Sequence, residues 1–135
     1  MNRIKVILQE EDVIKTYTSH TDKIDINYEY EENIDVIIKI ILDDMGYEVI
    51  THQDPLKGMN EAMQNNFDLI ITDLRMPQKN GSEITEEIIS VKPDARILIL
   101  TAHPTDPLAK KALEAGALSL TKKPFEIGKI LDFLK

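Results

Sequence analysis

The side chains best suited to chemistry in this chain follow its strand-like runs. They are Asp73 after the run 69–71, Thr101 after 97–100, Lys123 after 118–121, and the cluster Glu10, Glu11 and Asp12 after 4–8. The runs before Asp73 and Thr101 are continuously apolar, which is typical of parallel strands covered on both faces. Because parallel strands of one sheet end at the same edge, we expect these four polar groups to converge there.

A carboxylate, a hydroxyl, an ammonium group and an acidic cluster form a coherent set for phosphoryl transfer to an aspartate. Asp73 is the candidate nucleophile, as carboxylates are in aspartyl-phosphate chemistry. The acidic cluster, Asp73 and a backbone carbonyl offer the hard oxygen ligands that Mg²⁺ prefers. Lys123 and Thr101 can each bind an oxygen of the transferred group. The simpler alternative for Asp73 alone is a strand-end aspartate that caps a turn.

Strands and helices alternate five times along the chain. The first helical segment, for example, places apolar residues at Ile34, Ile37 and Ile38, the spacing of a buried helix face. This alternation predicts an α/β fold with a parallel sheet and right-handed crossovers. Strands are predicted over 4–8, 47–50, 67–73, 95–100 and 118–121, and helices over 34–45, 55–65, from a cap at Ser82 to Pro93, between Pro107 and Gly116, and over about 126–134.

Residues 13–31 do not fit that alternation. Two runs rich in Thr, Tyr and Ile alternate in polarity on either side of the polar tetrapeptide 20–23. This pattern is typical of a β-hairpin with one exposed face. We therefore expect a hairpin inserted after the first strand, with an edge that could pair with a second copy of the chain.

Composition narrows the class of protein. A chain of 135 residues with 42% hydrophobic and 30% charged residues is expected to form one globular domain, here 1–135. The formal net charge of −8 argues against a nucleic-acid surface, which needs clustered Lys and Arg. There is no cysteine, hence no disulfide or thiolate metal site. No segment has the pattern of a signal peptide or membrane span, so we expect a cytoplasmic protein without membrane contact.

An ordered set of motifs resembles the receiver domains of two-component response regulators. The intervals agree with that family, since 101 − 73 = 28 and 123 − 101 = 22. The resemblance covers residues 33–135 and, with a gap, residues 3–12. The matching pieces are Gly46-Tyr47-Glu48-Val49, Phe67-Asp68-Leu69-Ile70-Ile71-Thr72-Asp73-Leu74-Arg75-Met76-Pro77, Asn80-Gly81, Leu98-Ile99-Leu100-Thr101-Ala102, Glu114-Ala115-Gly116-Ala117 and Lys123-Pro124-Phe125.

The resemblance implies a flavodoxin-like, doubly wound, five-stranded parallel sheet of order 2-1-3-4-5 with helices on both faces. It implies that Asp73 is the phosphoacceptor, that Thr101 is the switch hydroxyl and that Lys123 binds the phosphoryl oxygens. It also implies a Mg²⁺ ion whose ligands include Asp73 and the backbone carbonyl of Arg75. The implied partners are a sensor histidine kinase or phosphotransfer protein and a downstream effector protein or domain.

The metal acids are the point at which the sequence departs from the family. Receiver domains carry two adjacent acids directly after the first strand, and here Glu10 and Glu11 follow the apolar run 4–8. Counting back from Gly46 without a gap instead places that pair at Glu29 and Tyr30, which leaves Glu29 and Glu31 as the alternative acids. Choosing Glu10 requires an insertion of 29 − 10 = 19 residues, the length of the predicted hairpin.

Two functional alternatives follow from these departures. In the first, the chain is a phosphorylatable receiver whose only chemistry is its own phosphorylation and dephosphorylation. In the second, it is a degenerate receiver that works as a phosphorylation-independent interaction module. The second is motivated by the insertion, by Glu in place of Asp at the metal site, and by Leu120 where the family has Tyr or Phe. The sequence leaves open whether the chain stands alone or is part of a longer regulator.

Overall fold

The structure is a computed structural model that describes residues 3–7, 13–14, 17–20, 25–28, 32–33, 40–52, 54–122 and 127–134. It contains a five-stranded parallel sheet of order β6-β1-β7-β8-β9. In these labels the strands are β1 Arg3–Ile7, β2 Val13–Ile14, β3 Tyr17–His20, β4 Asp25–Tyr28, β5 Glu32–Asn33, β6 Glu48–His52, β7 Leu69–Asp73, β8 Ile97–Thr101 and β9 Ser119–Lys122. The helices are α1, described over 40–44, α2 Pro55–Gln64, α3 Gly81–Val91, α4 Pro107–Ala115 and α5 Ile127–Asp132.

The sheet has the predicted architecture. Counting its five strands along the chain as first to fifth, the observed order is 2-1-3-4-5, so that prediction is confirmed. β7 lies between β1 and β8, and all five of its residues are buried, as are all five of β8. The two continuously apolar runs are therefore strands covered on both faces, as their lack of alternation indicates.

Helices cover the sheet on both faces and divide the core into two clusters. One cluster joins alternate strand residues to α1 and α5, and the other joins the opposite strand face to α2, α3 and α4. Alternation along β1 is typical: Ile4 and Val6 belong to the first cluster, and Ile7 belongs to the second. Complete burial of side chains of this size stabilises the fold by about 1.5–3 kcal/mol each.

The insertion after β1 contains two antiparallel strand pairs. β3 pairs with β4, from Tyr17 opposite Tyr28 to His20 opposite Asp25, and β2 pairs with β5 outside them. The predicted hairpin at 13–31 covers most of these strands, and its polar tetrapeptide at 20–23 begins at the last residue of β3. The insertion therefore lies in the sequence between β1 and the helix α1.

The start of α3 differs from the prediction. We expected Ser82 to cap this helix, but Asn80 is the N-cap, and Ser82 lies buried inside the first turn. The Asn80 side chain accepts a hydrogen bond from Glu83 N at 2.9 Å, and Glu83 Oε1 accepts one from Asn80 N at 3.1 Å. This reciprocal capping box satisfies two backbone donors at once, which a serine cap alone does not achieve.

A close backbone approach joins α3 to the end of β7. The N–H of Gly81 donates a hydrogen bond to the carbonyl of Leu74 at 2.7 Å. A Cβ at position 81 would lie 2.5 Å from the carbonyl oxygen of Asp73 and 3.0 Å from Leu74 Cα. Both of these atoms belong to the backbone and have little freedom to move away. Glycine is therefore required for α3 to begin directly against the strand end that carries Asp73.

A buried charge lies in β1. The Lys5 side chain is fully buried, and its Nζ lies 2.9 Å from Oε1 of Glu61 on α2. The other carboxylate oxygen of Glu61 lies 2.7 Å from Nε2 of His52 on β6. Burial lowers the pKa of Lys5, and the hydrogen bond from Lys5 lowers the pKa of Glu61. Glu61 thus holds α2 against two strands through one carboxylate.

Substitution of Glu61 tests this ion pair. We expect Glu61→Gln to lower the free energy of unfolding by about 1–3 kcal/mol, because the Lys5 ammonium stays buried without its counter-charge. Lys5→Met removes the buried charge and should be neutral or stabilising, and it should abolish most of the penalty of Glu61→Gln. Urea unfolding of the two single variants and the double variant measures this coupling. An equal penalty for Glu61→Gln in both backgrounds would contradict it.

The same pair predicts a pH dependence. Because the pKa of folded Lys5 lies below its ordinary value of 10.5, the unfolded chain binds more protons at this site in the interval between the two values. Stability contributed at this position should therefore rise as the pH increases through that interval. Urea unfolding of wild type and Lys5→Met across this range should show the stability of wild type rising relative to that of Lys5→Met towards high pH. A constant difference would contradict the expected shift.

Replacement of Gly81 tests the approach of α3 to β7. We expect Gly81→Ala to lower the free energy of unfolding by about 1–3 kcal/mol, because the new methyl group meets backbone atoms that cannot yield. Gly128→Ala in α5 is the matched control, since a Cβ there has nothing within 4 Å. That control should be neutral or stabilising by up to about 1 kcal/mol, the gain in helix propensity. Similar losses in both variants would show that Gly81 has no special role.

Candidate functional site

Asp73 is placed at the C-terminal end of the central strand β7. It is 1% exposed, although it is an acidic residue. Its register partner on β8 is Leu100, and Leu74 N donates a hydrogen bond to the Leu100 carbonyl at 3.1 Å. The hydroxyl of Thr72 donates to the Asp73 carbonyl at 3.1 Å. The backbone on both sides of the carboxylate is thus fixed by the sheet and by the start of α3.

Thr101 ends the neighbouring strand β8, one residue beyond the register partner of Asp73. It is 4% exposed, and its Oγ1 accepts a hydrogen bond from the N–H of His103 at 3.0 Å. The structure therefore brings a buried carboxylate and a buried hydroxyl to adjacent strand ends. This placement is the one expected from the two apolar runs.

The remaining predicted groups are only partly described. Thr101 is in register with Lys122, the exposed last residue of β9, so Lys123 comes next in the chain after the strand at this edge. β1 stays paired with β7 as far as Ile7 opposite Thr72, one position before Asp73. The residues that lie outside the described part are Lys123, Glu10, Glu11, Asp12, Glu29 and Glu31. Within the described part, no three His, Asp or Glu side chains gather as a metal site.

The side chain of Arg75 was not singled out by the sequence. It forms a two-pronged ion pair with Asp106, with Nε to Oδ2 at 2.7 Å and a terminal guanidinium nitrogen to Oδ1 at 2.7 Å. Asp106 is also the N-cap of α4, since Oδ1 accepts a hydrogen bond from Leu108 N at 2.9 Å. The hydrogen bond with Arg75 lowers the pKa of Asp106 and raises that of Arg75. The loop after Asp73 is thereby tied to the start of α4.

The sequence gives only a weak indication of the ion pair between Arg75 and Asp106. Asp106 directly precedes Pro107, a combination typical of an N-cap followed by the first residue of a helix. That pattern identifies the cap but does not identify Arg75, 31 residues earlier, as its partner. Lys5 was not singled out either, although a lysine inside a strand covered on both faces requires a nearby counter-charge.

A cavity of about 390 Å³ lies away from these residues. It is bounded by the segments that follow α2 and α3, at the edge of the sheet opposite Asp73. Its lining residues are Ala62, Asn65, Asn66, Phe67, Ile70, Lys92, Pro93, Asp94 and Ala95. None of the predicted site residues contributes to it, so the strand ends with Asp73 and Thr101 remain the candidate site. No helix in the described part of the chain is long and apolar enough to cross a membrane.

Comparison with known sequences identifies relatives across most of the chain. The family model of the response regulator receiver domain matches residues 28–135. A response regulator receiver protein of Anaeromyxobacter sp. is 32% identical over 109 residues, which cover 81% of this chain and 44% of that protein. The sporulation initiation phosphotransferase F of Bacillus subtilis is 26% identical over 102 residues, 76% of this chain and 82% of that protein. The chain thus spans less than half of the Anaeromyxobacter relative.

Solved structures agree in fold. The chemotaxis protein CheY4 of Vibrio cholerae is similar with a TM-score of 0.72 and 25% identity, covering 99% of this chain and 96% of that one. The response regulator protein TrrA of Thermotoga maritima, in complex with Mg²⁺-BeF, is similar with a TM-score of 0.71 and 26% identity, with the same coverage. The match of the family model to four-fifths of the chain and the agreement in fold lead to one conclusion: this chain belongs to the response regulator receiver domain family.

Proposed function

We propose that the chain accepts a phosphoryl group on Asp73 from a histidine kinase or phosphotransfer protein of a two-component system. The observation that carries the proposal is the placement of Asp73, a carboxylate only 1% exposed at the end of the central strand, beside the strand end that holds Thr101. Its place at the ligand-binding edge of a doubly wound sheet favours chemistry over a structural capping role.

The proposed reaction is a displacement at phosphorus. An oxygen of the Asp73 carboxylate attacks the phosphorus of a phosphohistidine, the P–N bond breaks, and the imidazole leaves and takes up a proton. The product is an acyl phosphate on Asp73, which water later hydrolyses to the carboxylate and inorganic phosphate. Thr101 donates a hydrogen bond to one phosphoryl oxygen and Lys123 pairs with another. Formation of that hydrogen bond moves Thr101 and gives the switch.

Mg²⁺ is the proposed cofactor. Its ligands would be the carboxylates of Glu10, Glu11 and Asp73 and the backbone carbonyl of Arg75. The donor set is entirely oxygen, which fits a hard cation of this size. Bound there, the ion would neutralise charge on the group in transfer. The similar TrrA structure, solved as a complex with Mg²⁺-BeF, supports the proposal.

The position of β1 favours Glu10 and Glu11 over Glu29 and Glu31. The family model begins to match at residue 28, but the sheet takes Arg3–Ile7 as the strand beside β7. That strand ends opposite Thr72, one register position before Asp73, and Glu10 and Glu11 follow it closely in the sequence. Residues 25–28 instead pair with 17–20 in an antiparallel pair that does not belong to the main sheet.

Three partners are proposed for the chain. The phosphodonor must reach the edge that holds Asp73. A downstream effector protein or domain would read the movement that follows phosphorylation. The strand pairs of the insertion offer a surface for pairing with a second copy of the chain. We place this chemistry in the cytoplasm, where phosphorylated donors of this class form.

Phosphorylation by a small donor tests the proposed nucleophile. Incubation with acetyl phosphate and Mg²⁺ should add one phosphoryl group, measured by intact mass, and omission of Mg²⁺ should reduce the yield at least tenfold. Asp73→Asn should remove the modification, because the amide is not a nucleophile for phosphorus. Asp94→Asn, an exposed aspartate remote from Asp73, is the matched control and should be modified like wild type. Unmodified wild type at millimolar Mg²⁺ would refute the proposal.

The metal acids have a separate test. We expect the pair Glu10→Gln and Glu11→Gln to raise the Mg²⁺ concentration needed for half-maximal phosphorylation by at least about tenfold, since the neutral amides are weaker ligands. The pair Glu29→Gln and Glu31→Gln removes the same charge from the alternative position and should leave that concentration unchanged. The reverse result would assign the metal to Glu29 and Glu31.

A further inference from the structure

The ion pair between Arg75 and Asp106 joins two segments that lie on either side of the candidate site. Arg75 belongs to the loop between β7 and α3, and Asp106 caps α4. The Asp106 side chain is only 9% exposed, whereas the Arg75 side chain is 67% exposed. The carboxylate is thus held in place by the helix end, and the guanidinium reaches across to it from the loop. Both carboxylate oxygens are engaged, which makes the geometry specific.

Hydrogen bonds extend from this pair to Thr101. Asp106 N donates to the carbonyl of His103 at 3.0 Å, and His103 N donates to Oγ1 of Thr101 at 3.0 Å. The hydroxyl of Thr101, the loop 102–105 and the cap of α4 are therefore one connected unit. Arg75 attaches that unit to the loop that follows Asp73. Movement of Thr101 strains the connection unless some contact in it is released.

We infer that the Arg75–Asp106 ion pair is a tether that holds Thr101 and the N-terminus of α4 in their unphosphorylated positions and so opposes the switch. This inference rests on the proposed phosphorylation of Asp73. Arg75 and Asp106 are positioning residues in it, because they act through Thr101 and α4. The tether sets how readily a phosphoryl group on Asp73 shifts the domain to its second arrangement.

The charges near Asp73 explain why the ion pair favours the unphosphorylated arrangement. A phosphoryl group on Asp73 adds nearly two negative charges only two residues from Arg75. The guanidinium then has a second anion to bind, in competition with Asp106. When the Thr101 hydroxyl turns to the phosphoryl group, it also ceases to accept from His103 N, and the loop 102–105 is freed. The ion pair is therefore stronger before phosphorylation than after it, and such a difference is what shifts a two-state equilibrium.

The test uses beryllofluoride with Mg²⁺ as an analogue of the phosphoryl group. The measurement is the concentration at half-saturation, read from the backbone amide signals of Leu108 and Ala109 at the start of α4. Asp106→Asn keeps a side-chain oxygen for the cap but removes the charge, and Arg75→Ala removes the guanidinium. Asp106→Asn should lower that concentration about two- to fivefold, the range expected of one well-formed surface ion pair. Arg75→Ala should lower it less, because it also removes the attraction of the guanidinium to the analogue, and the double variant should match Arg75→Ala.

Two further variants separate the tether from a general loss of structure. Arg75→Lys keeps the charge but lacks the guanidinium that binds both carboxylate oxygens. Its half-saturating concentration should lie between those of wild type and Arg75→Ala. Lys79 lies in the same loop but pairs with Glu87 on α3, so Lys79→Met breaks an ion pair without touching α4. It should bind the analogue like wild type. Amide hydrogen exchange at His103, Asp106 and Leu108 without the analogue should be faster in Asp106→Asn than in Lys79→Met.

The binding of the analogue to wild type tests the proposed function, and its binding to the variants tests the tether. If wild type binds the analogue and Asp106→Asn and Arg75→Ala bind it no more tightly, the tether is overturned and the phosphorylation proposal stands. If the effects of the two variants add in the double variant, the residues act independently and the tether is again overturned. If wild type shows no response at all, the proposed function fails and the inference falls with it.

Discussion

The register of β7 between β1 and β8 is the constraint on which the site depends. A strand buried on both faces is mostly apolar, and a polar side chain inside it needs a partner, as Lys5 has in Glu61, so a carboxylate is placed at least cost where the strand ends. Asp73 occupies that position, and the adjacent strand β8 delivers Thr101 in the same way. The approach of Gly81 to the backbone of Asp73 then fixes where α3 begins. The site is thus a consequence of where two buried strands end.

Much of this was predictable because burial on both faces leaves an unmistakable pattern. The continuous apolar runs before Asp73 and Thr101 identified both strands and the edge at which they end, and the alternation with helices identified the fold class. The order of strands came from the resemblance to receiver domains and is confirmed by the sheet. The cap of α3 was misassigned to Ser82, because a serine beside a glycine is a common helix start. The reciprocal hydrogen bonds between Asn80 and Glu83 instead make Asn80 the N-cap.

Other features depend on contacts between distant segments and could not be read from spacing. Arg75 and Asp106 are each ordinary in their own surroundings, and only the fold brings the two loops together. The partnership of Lys5 with Glu61 and His52 is of the same kind, since it joins two strands and a helix. The metal acids and Lys123 lie outside the described residues and stay predictions. The family model matches from residue 28, whereas the first strand of the sheet lies at Arg3–Ile7, before the insertion.

The insertion also bears on how the chain reaches its fold. β1 pairs with β6 and β7, so this strand must find partners more than forty residues away in sequence. Contacts this distant slow folding, because the chain loses loop entropy before they form. The antiparallel pairing of Val13 with Asn33 brings the two ends of the insertion together by local contacts. It thereby shortens the effective loop between β1 and α1 about threefold, which reduces the entropic cost of closure by about 1 kcal/mol. The insertion lengthens the chain but therefore adds little to the effective loop that β1 must close to reach its partners.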